Sequence, residues 1–369
     1  MAPKVAIVYL TYYDARHYID EAVLSVERLD YPKQDLAFVV VDNSEHGPSA
    51  EYVKETVVPK SEKTLPKIVL MENEKNVGFA TGNNQGIAWA LDHWFDYVYL
   101  LNNDAKLHPD AIKEAVRVAE SDKTIGAVQS LLLLWKTPDL VNSSGNDLHY
   151  LGFGLTRDYK RPVTATGWRW ESPPPPGGGG ADIGFASGAG VLYGAKALRH
   201  VGNLEEFYWM YHEDVELSWR MRLSGYRIVL APKSIAYHDY EFRRSTQKMF
   251  WIERNRLVTH LTHLKTGTLL LFLPALLWME LLVLFGSIKE GWWIEKVRAD
   301  LALFSKPVRT HILIKRRMIR EQRTVPDREI IKHFVGRIEH QEIDHVLVRL
   351  VVNPVLNAYW KIVRNLVQW

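Results

Sequence analysis

The stretch Tyr-Val-Tyr-Leu-Leu-Asn-Asn-Asp, residues 97–104, joins an apolar run to two amides and a carboxylate. The apolar part, which ends at Leu101, is typical of a parallel strand covered on both faces. In an open parallel sheet, ligands bind at the carboxyl ends of the strands, which is where Asn102, Asn103 and Asp104 would lie. The same residues also suit an ordinary turn, because Asn and Asp side chains hydrogen-bond their own backbone. The stretch therefore predicts a buried strand that ends either in a site or in a turn.

Strand and helix signals alternate through the first half of the chain. The pattern predicts strands over 5–10, 37–41, 67–71 and 97–101, and helices over 19–29, 83–95 and about 109–120. Alternation of this kind is typical of βαβ units and a parallel sheet. Three of these strands end in polar residues, which begin at Thr11, Asp42 and Asn102. Because the carboxyl ends of parallel strands meet at one edge of a sheet, we expect a site along that edge.

The composition limits the class of protein. A chain of 369 residues exceeds one average domain, so we expect a main domain with an extension. Its 47% hydrophobic and 24% charged residues are ordinary for a folded protein, and a net charge of +3 is too small to indicate a nucleic-acid partner. The absence of Cys excludes a disulfide framework and cysteine-based zinc sites. The first strand follows a single Lys, which argues against a signal peptide and predicts a cytoplasmic domain.

Residues 172–180 read Ser-Pro-Pro-Pro-Pro-Gly-Gly-Gly-Gly. Prolines stiffen a chain and glycines loosen it, so neither a helix nor a central strand is expected across this segment. The segment suits a linker between domains or a mobile loop within one domain. We expect the loop, because residues typical of a site still follow it.

The segment 268–285 is nearly long enough to span a bilayer, but it contains Pro274 and Glu280. Basic residues crowd both of its flanks, and a single span would place one of these flanks outside, against the positive-inside tendency. A helix or broken hairpin in the cytoplasmic leaflet accommodates both flanks. A buried helix of a soluble domain is the alternative. The apolar run 346–369 predicts a second interfacial helix, and the helices after Leu301 could also form a homodimer.

Two further motifs are ambiguous by themselves. Residues 76–86 combine three glycines with amides before a helix, which suits diphosphate binding or an ordinary helix start. Residues 207–220 place Glu213, Asp214 and Glu216 after an aromatic patch. Acids at a helix start complement the helix dipole, but a carboxylate beside aromatic rings also suits a general base that acts on a sugar hydroxyl.

Taken together, the motifs resemble the inverting glycosyltransferases of family 2, which have the GT-A fold, and in particular their rhamnosyltransferase-like members. The resemblance covers about residues 4–260. It rests on Val-Val-Val-Asp-Asn-Ser (39–44), Asn-Val-Gly-Phe-Ala-Thr-Gly-Asn-Asn (76–84), Leu-Leu-Asn-Asn-Asp (100–104), Ala-Ser-Gly-Ala-Gly (186–190), Tyr-His-Glu-Asp-Val-Glu-Leu-Ser-Trp-Arg (211–220) and Glu-Arg-Asn-Arg-Leu (253–257).

The resemblance implies an α/β fold, a Rossmann-like and mostly parallel sheet with flanking helices. The catalytic domain would occupy 1–262, with a nucleotide-sugar half over about 1–105 and an acceptor half over about 106–262. A helical region with interfacial membrane helices would follow over 263–369. This arrangement predicts a peripheral or monotopic protein at the cytoplasmic face of the cell membrane.

The resemblance also implies roles for residues of the nucleotide-sugar half. Thr11 and Tyr13 would line the nucleotide pocket. Asp42 would accept a hydrogen bond from an N–H of uracil or thymine, as an ionised carboxylate can. Asn76 and Gly78 would contact the nucleotide sugar near its diphosphate.

The segment Asn102-Asn103-Asp104 occupies the Asp-x-Asp position of the family, and Asp104 would be the carboxylate that binds Mg²⁺ or Mn²⁺. This chain departs from the two-carboxylate form, since Asn102 leaves one negative charge fewer for the metal. His238 matches a position where related enzymes place a metal-binding His. The alternative is a surface His between neighbouring tyrosines.

Asp214 matches the catalytic base of the family, which would take a proton from the acceptor hydroxyl. Glu213 and Trp209 would shape the acceptor side. Three arginines are candidates to steady the phosphates or to form a basic membrane flank: Arg243, Arg244 and Arg254. The implied partners are a nucleoside-diphosphate sugar, with dTDP-rhamnose or a UDP-sugar as candidates, a glycan or lipid-linked acceptor, and the membrane surface.

Three other functions were weighed against this one. A sugar nucleotidyltransferase would carry a Gly-rich loop after the first strand, where this chain has Thr-Tyr-Tyr-Asp-Ala-Arg-His (11–17). A processive polysaccharide synthase would need several spanning helices and a Gln-x-x-Arg-Trp motif, which residues 251–255 do not match. A non-catalytic scaffold predicts the loss of Asp214 or Asp104, and both are present.

Overall fold

A computed structural model describes residues 2–13, 15–44, 47–165, 180–240, 246–339 and 346–369. The predicted Pro/Gly loop, except for Gly180, lies outside these residues. Two of the phosphate candidates, Arg243 and Arg244, lie outside them as well.

The first half of the chain alternates strands and helices, as predicted. Its elements are β1 (Val5–Thr11), α1 (Arg16–Glu27), β2 (Leu36–Asp42), α2 (Pro48–Thr56), β3 (Lys67–Glu72), α3 (Phe79–Asp92) and β4 (Tyr97–Leu101). The helix α3 begins at Phe79, earlier than the predicted residue 83. Gly78 precedes it with a φ of 88°, a turn conformation that glycine adopts without a steric penalty.

The second half adds further helices and strands that pair in both directions, since β12 pairs with β6 in parallel and β11 pairs with β4 and β6 in antiparallel. They are β5 (Ala105–Leu107), α4 (Ala111–Glu120), β6 (Ile125–Leu134), β7 (Thr137–Ser143), β8 (Asn146–His149), β9 (Gly154–Thr156), β10 (Ala181–Asp182), β11 (Gly190–Gly194), α5 (Ala195–Val201), α6 (Glu213–Leu223), β12 (Arg227–His238) and α7 (Thr246–His263).

The central sheet has the strand order β10-β12-β6-β11-β4-β1-β2-β3. Around β1 the pairing is parallel: β1 pairs with β2 and β4, and β2 pairs with β3. In this register Thr11 lies beside Asp42, and Tyr9 lies beside Leu101. The polar residues that end the three strands therefore lie at one edge of the sheet, as the sequence predicts.

The continuous apolar runs of β1 and β2 follow from burial on both faces. Every residue of these two strands is buried. One face, which includes Ile7 and Phe38, packs into a core shared with α1 and α4. The other face, which includes Val8 and Val39, packs against residues of α3. A strand covered on both sides has no solvent-facing positions, so its sequence does not alternate.

The chain continues as a helical region. Its elements are α8 (Thr266–Glu290), α9 (Trp293–Ala302), α10 (Lys306–Gln322), α11 (Asp327–Ile330), β13 (Phe334–Val335), a π-helical turn (Val348–Val352) and α12 (Asn353–Val363). The strand β13 pairs with β8, which ties this region to the preceding part of the chain. The predicted apolar segment forms one helix, α8, rather than a broken hairpin, and the helix continues through Pro274.

By length and composition alone, α8 could cross a membrane, and 17% of its most apolar window is buried within the protein. Its polar residue Glu280 is explained by a network of buried charges. Glu280 Oε1 lies 2.6 Å from Arg256 Nη2 of α7, and its other oxygen pairs with Lys296 of α9. Arg256 also pairs with Glu253 at 2.7 Å. Buried charges persist when they are paired, so this network joins α7, α8 and α9.

Candidate active site

At the ends of β1 and β2, hydroxyl groups surround the carboxylate of Asp42. Thr11 Oγ1 donates a hydrogen bond to Asp42 Oδ1 at 2.7 Å, and Ser44 Oγ donates to the same oxygen. Both Thr11 and Asp42 are buried. Tyr13 differs, because its side chain is 72% exposed and its φ is 62°. The structure therefore brings Thr11 and Asp42 together and leaves Tyr13 in solvent beside them.

Asn43 joins the end of β2 to the loop before α3, a role that the sequence analysis missed. Its Nδ2 donates to Asn76 Oδ1 at 2.9 Å and to the Gly78 carbonyl at 3.2 Å. Its Oδ1 accepts from the Val77 N–H at 3.0 Å. The motif Asp-Asn-Ser was visible in the sequence, but the partner loop lies far along the chain. The predicted residues Asn76 and Gly78 are thereby held at the same sheet edge as Asp42.

Gly78 also contacts Trp209, a residue far along the chain. A Cβ atom at this position would lie 2.3 Å from Cδ1 of Trp209. The Trp209 carbonyl accepts a hydrogen bond from the Ala80 N–H at 3.2 Å. The indole of Trp209 therefore packs directly on the backbone of the loop before α3, and only glycine leaves room for it.

The two predicted metal ligands are neighbours in the structure. His238 Nε2 lies 3.0 Å from Asp104 Oδ1. This contact arises because β12 pairs with β5, which sets His238 opposite Ala105. Asn102 Nδ2 donates to the same Asp104 oxygen at 2.7 Å.

The hydrogen bond of its other nitrogen selects the tautomer of a neutral His238. Nδ1 lies 2.9 Å from Asn142 Oδ1, and an amide oxygen can only accept a hydrogen bond. When the imidazole is neutral, with its proton on Nδ1, the lone pair of Nε2 faces the carboxylate of Asp104. Asn102 Nδ2 lies 2.7 Å from this carboxylate oxygen and 3.4 Å from Nε2, so its N–H groups partly offset the repulsion between the two acceptors, and a cation beside them would offset it more strongly. The pair therefore fits a divalent cation, with Asn142 orienting the imidazole.

This pair is a partial ligand set. Among the described residues there is no group of three or more His, Asp or Glu side chains arranged to hold a metal. The remaining ligands of such a cation would have to come from a substrate or from water. Asn103 is held in place through its backbone. Its carbonyl accepts a hydrogen bond from the buried hydroxyl of Tyr9 at 2.7 Å, which anchors Asn103 to β1.

Asp214 lies in the first turn of α6. Its Oδ1 accepts from the Val215 N–H at 2.8 Å, and its Oδ2 accepts from the Gly188 N–H at 3.3 Å. Burial raises the pKa of Asp214 above its ordinary value, although these backbone hydrogen bonds oppose the shift. A raised pKa makes a carboxylate a stronger base.

Glu213 is buried beside Asp214 rather than exposed on the acceptor side. Burial, and then the charge of Asp214, raise the pKa of Glu213 well above its ordinary value. Its Oε2 has no hydrogen-bond partner among the described residues. Of the two carboxyls, Asp214 accepts more backbone N–H groups, which favour its ionised form, so a proton shared by the pair is held more strongly by Glu213.

The segment before α6 is strained. Trp209, Tyr211 and His212 have φ values of 64°, 64° and 69°, which side-chain-bearing residues rarely adopt. Asn255 of α7 restrains this segment, since its Nδ2 donates to the carbonyls of Tyr208, Met210 and Tyr211 at 3.1, 2.9 and 2.8 Å. Asn255 is fully buried. The sequence motif 253–257 contained this residue, but the motif did not reveal its partners.

Arg254 is the one phosphate candidate that the structure describes. Its Nη2 donates to the Phe207 carbonyl at 2.8 Å, and its Nε donates to Asn255 Oδ1 at 2.9 Å. Burial lowers the pKa of Arg254 to about 10, so the guanidinium stays charged at neutral pH. Within the described ranges, no carboxylate lies at ion-pair distance from it.

The residues described above share one edge of the sheet, from Asp42 through Asp104 to Asp214. Two wide surface cavities lie elsewhere, around Lys4 at the opposite edge, and neither contains these residues. The arrangement defines the class of protein. It is an α/β fold in which a carboxylate–histidine pair and a separate carboxylate with a raised pKa lie at the ends of the central strands.

The sequence profile of the glycosyltransferase-like family 2 matches residues 3–259, and the chain belongs to this family. It therefore contains a glycosyltransferase family 2 domain with a GT-A-like fold, as the motifs indicated.

Two relatives and one solved structure illustrate the similarity. The poly-beta-1,6-N-acetyl-D-glucosamine synthase of Staphylococcus aureus is 25% identical over 238 residues, which cover 62% of this chain and 48% of the relative. The N-acetylglucosaminyl-diphospho-decaprenol L-rhamnosyltransferase of Mycobacterium tuberculosis is 27% identical over 187 residues, which cover 47% of this chain and 59% of the relative. The chain thus spans about half the length of these curated relatives.

The solved structure is a mannosyltransferase of Pyrobaculum calidifontis in complex with GDP-Man and Mn²⁺. It superposes with a TM-score of 0.50 at 16% identity, and the match covers 87% of this chain and 86% of the mannosyltransferase. At this identity the likeness concerns the fold.

Proposed function

We propose that the protein is a metal-dependent, inverting glycosyltransferase that moves a sugar from a nucleoside diphosphate to a hydroxyl of a lipid-linked glycan. The observation that carries this proposal is the contact between His238 and Asp104, whose oriented lone pairs suit a divalent cation beside the strand end. Asp104 and His238 would hold Mn²⁺ or Mg²⁺, which when bound neutralises charge on the leaving diphosphate.

The residues around Asp42 would bind the nucleotide. Asp42 Oδ1 already accepts from Thr11 and Ser44, so Oδ2 would accept the N–H of a uracil or thymine base. Asn76 and Gly78, held by Asn43, would contact the sugar and diphosphate. The rhamnosyltransferase named above supports dTDP-rhamnose as a candidate donor, and a UDP-sugar is the alternative.

Asp214 would be the general base. It takes the proton from the acceptor hydroxyl as that oxygen attacks the anomeric carbon on the face opposite the diphosphate. One carbon–oxygen bond forms while the bond to the diphosphate breaks, so the stereocentre inverts without a covalent enzyme intermediate. The raised pKa of Asp214, and the still stronger upward shift of the pKa of Glu213 beside it, support this assignment.

The acceptor would be lipid-linked because the helical region carries an exposed apolar surface that suits a membrane. One stripe of α8 carries large, exposed apolar side chains at helical spacing, namely Leu270, Leu273, Leu277, Leu281, Phe285 and Ile288. The opposite stripe packs on the protein along the helix, through Phe272, Ala275 and Met279 among others. A helix packed along its whole length suits a monotopic protein at the cytoplasmic face, with its exposed stripe in one leaflet.

A homodimer through the helices after Leu301 is the competing account of the exposed surface. Flotation of the full-length protein with anionic vesicles, compared with sedimentation in detergent, separates the two accounts.

The function is tested with a panel of nucleotide sugars, in the presence and absence of Mn²⁺, for the wild type and Asp214→Asn. We expect metal-dependent binding of one donor by both proteins and turnover by the wild type alone. If no donor bound in the presence of Mn²⁺, the proposal would be wrong.

A further inference from the structure

A row of aromatic rings runs from Trp209 onto α7. Trp209, on the segment just before α6, lies 5.1 Å from Trp251 between ring centroids, and Trp251 lies 5.0 Å from Phe250. All three rings are partly exposed. Trp209 contacts Gly78 on one side and Trp251 on the other, so Trp251 and Phe250 lie beyond Trp209 from the donor loop.

Two arginines flank this row from different helices. The guanidinium carbon of Arg254 in α7 lies 4.5 Å from the Trp251 ring centroid and 5.6 Å from that of Phe250. The guanidinium carbon of Arg298 in α9 lies 5.3 Å from the Phe250 centroid. Together, Trp209, Trp251, Phe250, Arg254 and Arg298 form what we call the aromatic–arginine patch.

Within the described residues, no carboxylate balances the charge of Arg254. The side chain is buried, with the residue only 7% exposed, and its hydrogen bonds within the described residues lead to carbonyl and amide oxygens. Across the part of the chain that the structure describes, no carboxylate forms an ion pair with it. A buried cation without an anion is costly, and an anionic ligand would remove that cost. Arg298 pairs within its own helix, with Glu295 at 2.9 Å, and its side chain stays 61% exposed.

Apolar side chains continue the patch along α9. Ile294, Arg298 and Leu301 are spaced by four and three residues, so they share one face of the helix. Ile294 is 55% exposed and Leu301 is 64% exposed. The face therefore carries a cation between exposed aliphatic groups, a combination that matches a phosphate group joined to an alkyl chain.

We propose that the aromatic–arginine patch binds the acceptor through a phosphate group that joins its sugar to its lipid. The sugar stacks on Trp209 and Trp251, which brings its hydroxyl toward Asp214. The phosphate lies between Arg254 and Arg298, and the alkyl chain follows Ile294 and Leu301. This inference rests on the proposed function and assigns Arg254 to the phosphate of the acceptor rather than to that of the donor.

The test is calorimetric titration of the full-length protein after saturation with UDP and Mn²⁺, so that the donor site is filled. The probes are decyl diphosphate, inorganic diphosphate and decyl glucoside. We expect decyl diphosphate to bind most tightly, and Arg298→Gln to weaken it by about tenfold, the effect of one charge-assisted contact.

Arg298→Gln is the decisive variant, because Arg254→Gln would also release the carbonyl of Phe207. The matched control is Arg317→Gln in α10, which removes another exposed arginine paired within its helix, here with Glu321 at 3.1 Å. The control should bind decyl diphosphate as the wild type does.

Four results would overturn the inference. If decyl diphosphate competed with UDP, Arg254 and Arg298 would belong to the donor site. If Arg298→Gln bound decyl diphosphate as tightly as the wild type, the patch would not be the binding site. If inorganic diphosphate bound as tightly as decyl diphosphate, the alkyl chain would make no contact with Ile294 and Leu301. Phosphatidylglycerol vesicles that bind with the same dependence on Arg298 would assign the patch to membrane lipid. Failure of both UDP and dTDP to bind with Mn²⁺ would instead contradict the proposed donor, and if dTDP alone bound, it would fill the donor site in place of UDP.

Discussion

Asn142 holds the imidazole of His238 through a hydrogen bond of 2.9 Å to Nδ1, and Nε2 on the other side faces Asp104. The contact joins two strands of the sheet, since Asn142 lies on β7 and His238 ends β12. It determines which nitrogen of His238 presents a lone pair at the strand ends.

The first prediction concerns this contact. Asn142→Leu removes the acceptor of the Nδ1 proton, so the imidazole loses its fixed tautomer and orientation. We expect the affinity for Mn²⁺, measured by calorimetry in the presence of UDP, to fall about 10- to 100-fold. Asn142→Asp keeps an acceptor oxygen and should retain metal binding. A folded Asn142→Leu protein with wild-type Mn²⁺ affinity would show that the orientation of His238 is set elsewhere.

The second prediction concerns Asn255, the restraint on the strained segment. Asn255→Asp replaces a donor to three carbonyls with an acceptor, so the segment that carries Trp209 should relax. We expect kcat/KM to fall by about 10²-fold, a typical cost of misplacing a site by a small distance. Asn353→Asp is the matched control, because Asn353 is also buried and donates to a carbonyl, that of Ile338, at 2.9 Å. Equal losses of kcat/KM in both variants would indicate a general effect on stability.

The third prediction concerns Gly78. Gly78→Ala would place a methyl group 2.3 Å from Trp209 Cδ1 at a φ of 88°, so both the loop and the indole must move. We expect donor binding to weaken and the free energy of unfolding to fall by about 1–3 kcal/mol. Gly286→Ala in α8, where nothing lies within 4 Å of the added Cβ, should leave donor binding unchanged. Denaturant titration and calorimetry measure the two effects.

The fourth prediction concerns the pH dependence of stability. The pKa of Glu213 is raised in the folded protein, so the folded state holds a proton that the unfolded state releases. The stabilising effect of this proton is fully present below the pKa that Glu213 has in the unfolded chain. It is lost as the pH rises from that value through the pKa that Glu213 has in the folded protein. Glu213→Gln cannot ionise, so we expect its Tm to exceed that of the wild type near pH 7 and the difference to shrink in acid.

The same pair sets an expectation for activity. Asp214 must be ionised to act as a base, and its pKa is raised by burial. The acid limb of the kcat/KM profile should therefore lie above the ordinary pKa of Asp. Glu213→Gln should keep this limb, since Glu213 is already uncharged in the folded protein. If the acid limb of the kcat/KM profile moved to the ordinary pKa of Asp in Glu213→Gln, Glu213 would carry a charge in the wild type.

Much of the central sheet could be predicted from local sequence. The strand 97–101 matches the prediction, and β1, β2 and β3 differ from it by one residue at their ends. The helix α3 begins earlier than predicted because the turn at Gly78 is stabilised by Asn43 and Trp209, which are remote in sequence. The proximity of His238 to Asp104 was expected from the resemblance, and the pairing of β12 with β5 produces it.

The sequence by itself determined where the parallel strands lie and that three of them end in polar residues. Apolar runs and turn residues are local signals, and burial on both faces requires them. Only the tertiary structure decided which polar side chains restrain the site, namely Asn43, Asn142 and Asn255, and why Glu280 interrupts an apolar helix. An amide or carboxylate has no preferred partner until the fold removes it from water, and its partners then come from whichever strands and helices are packed against it.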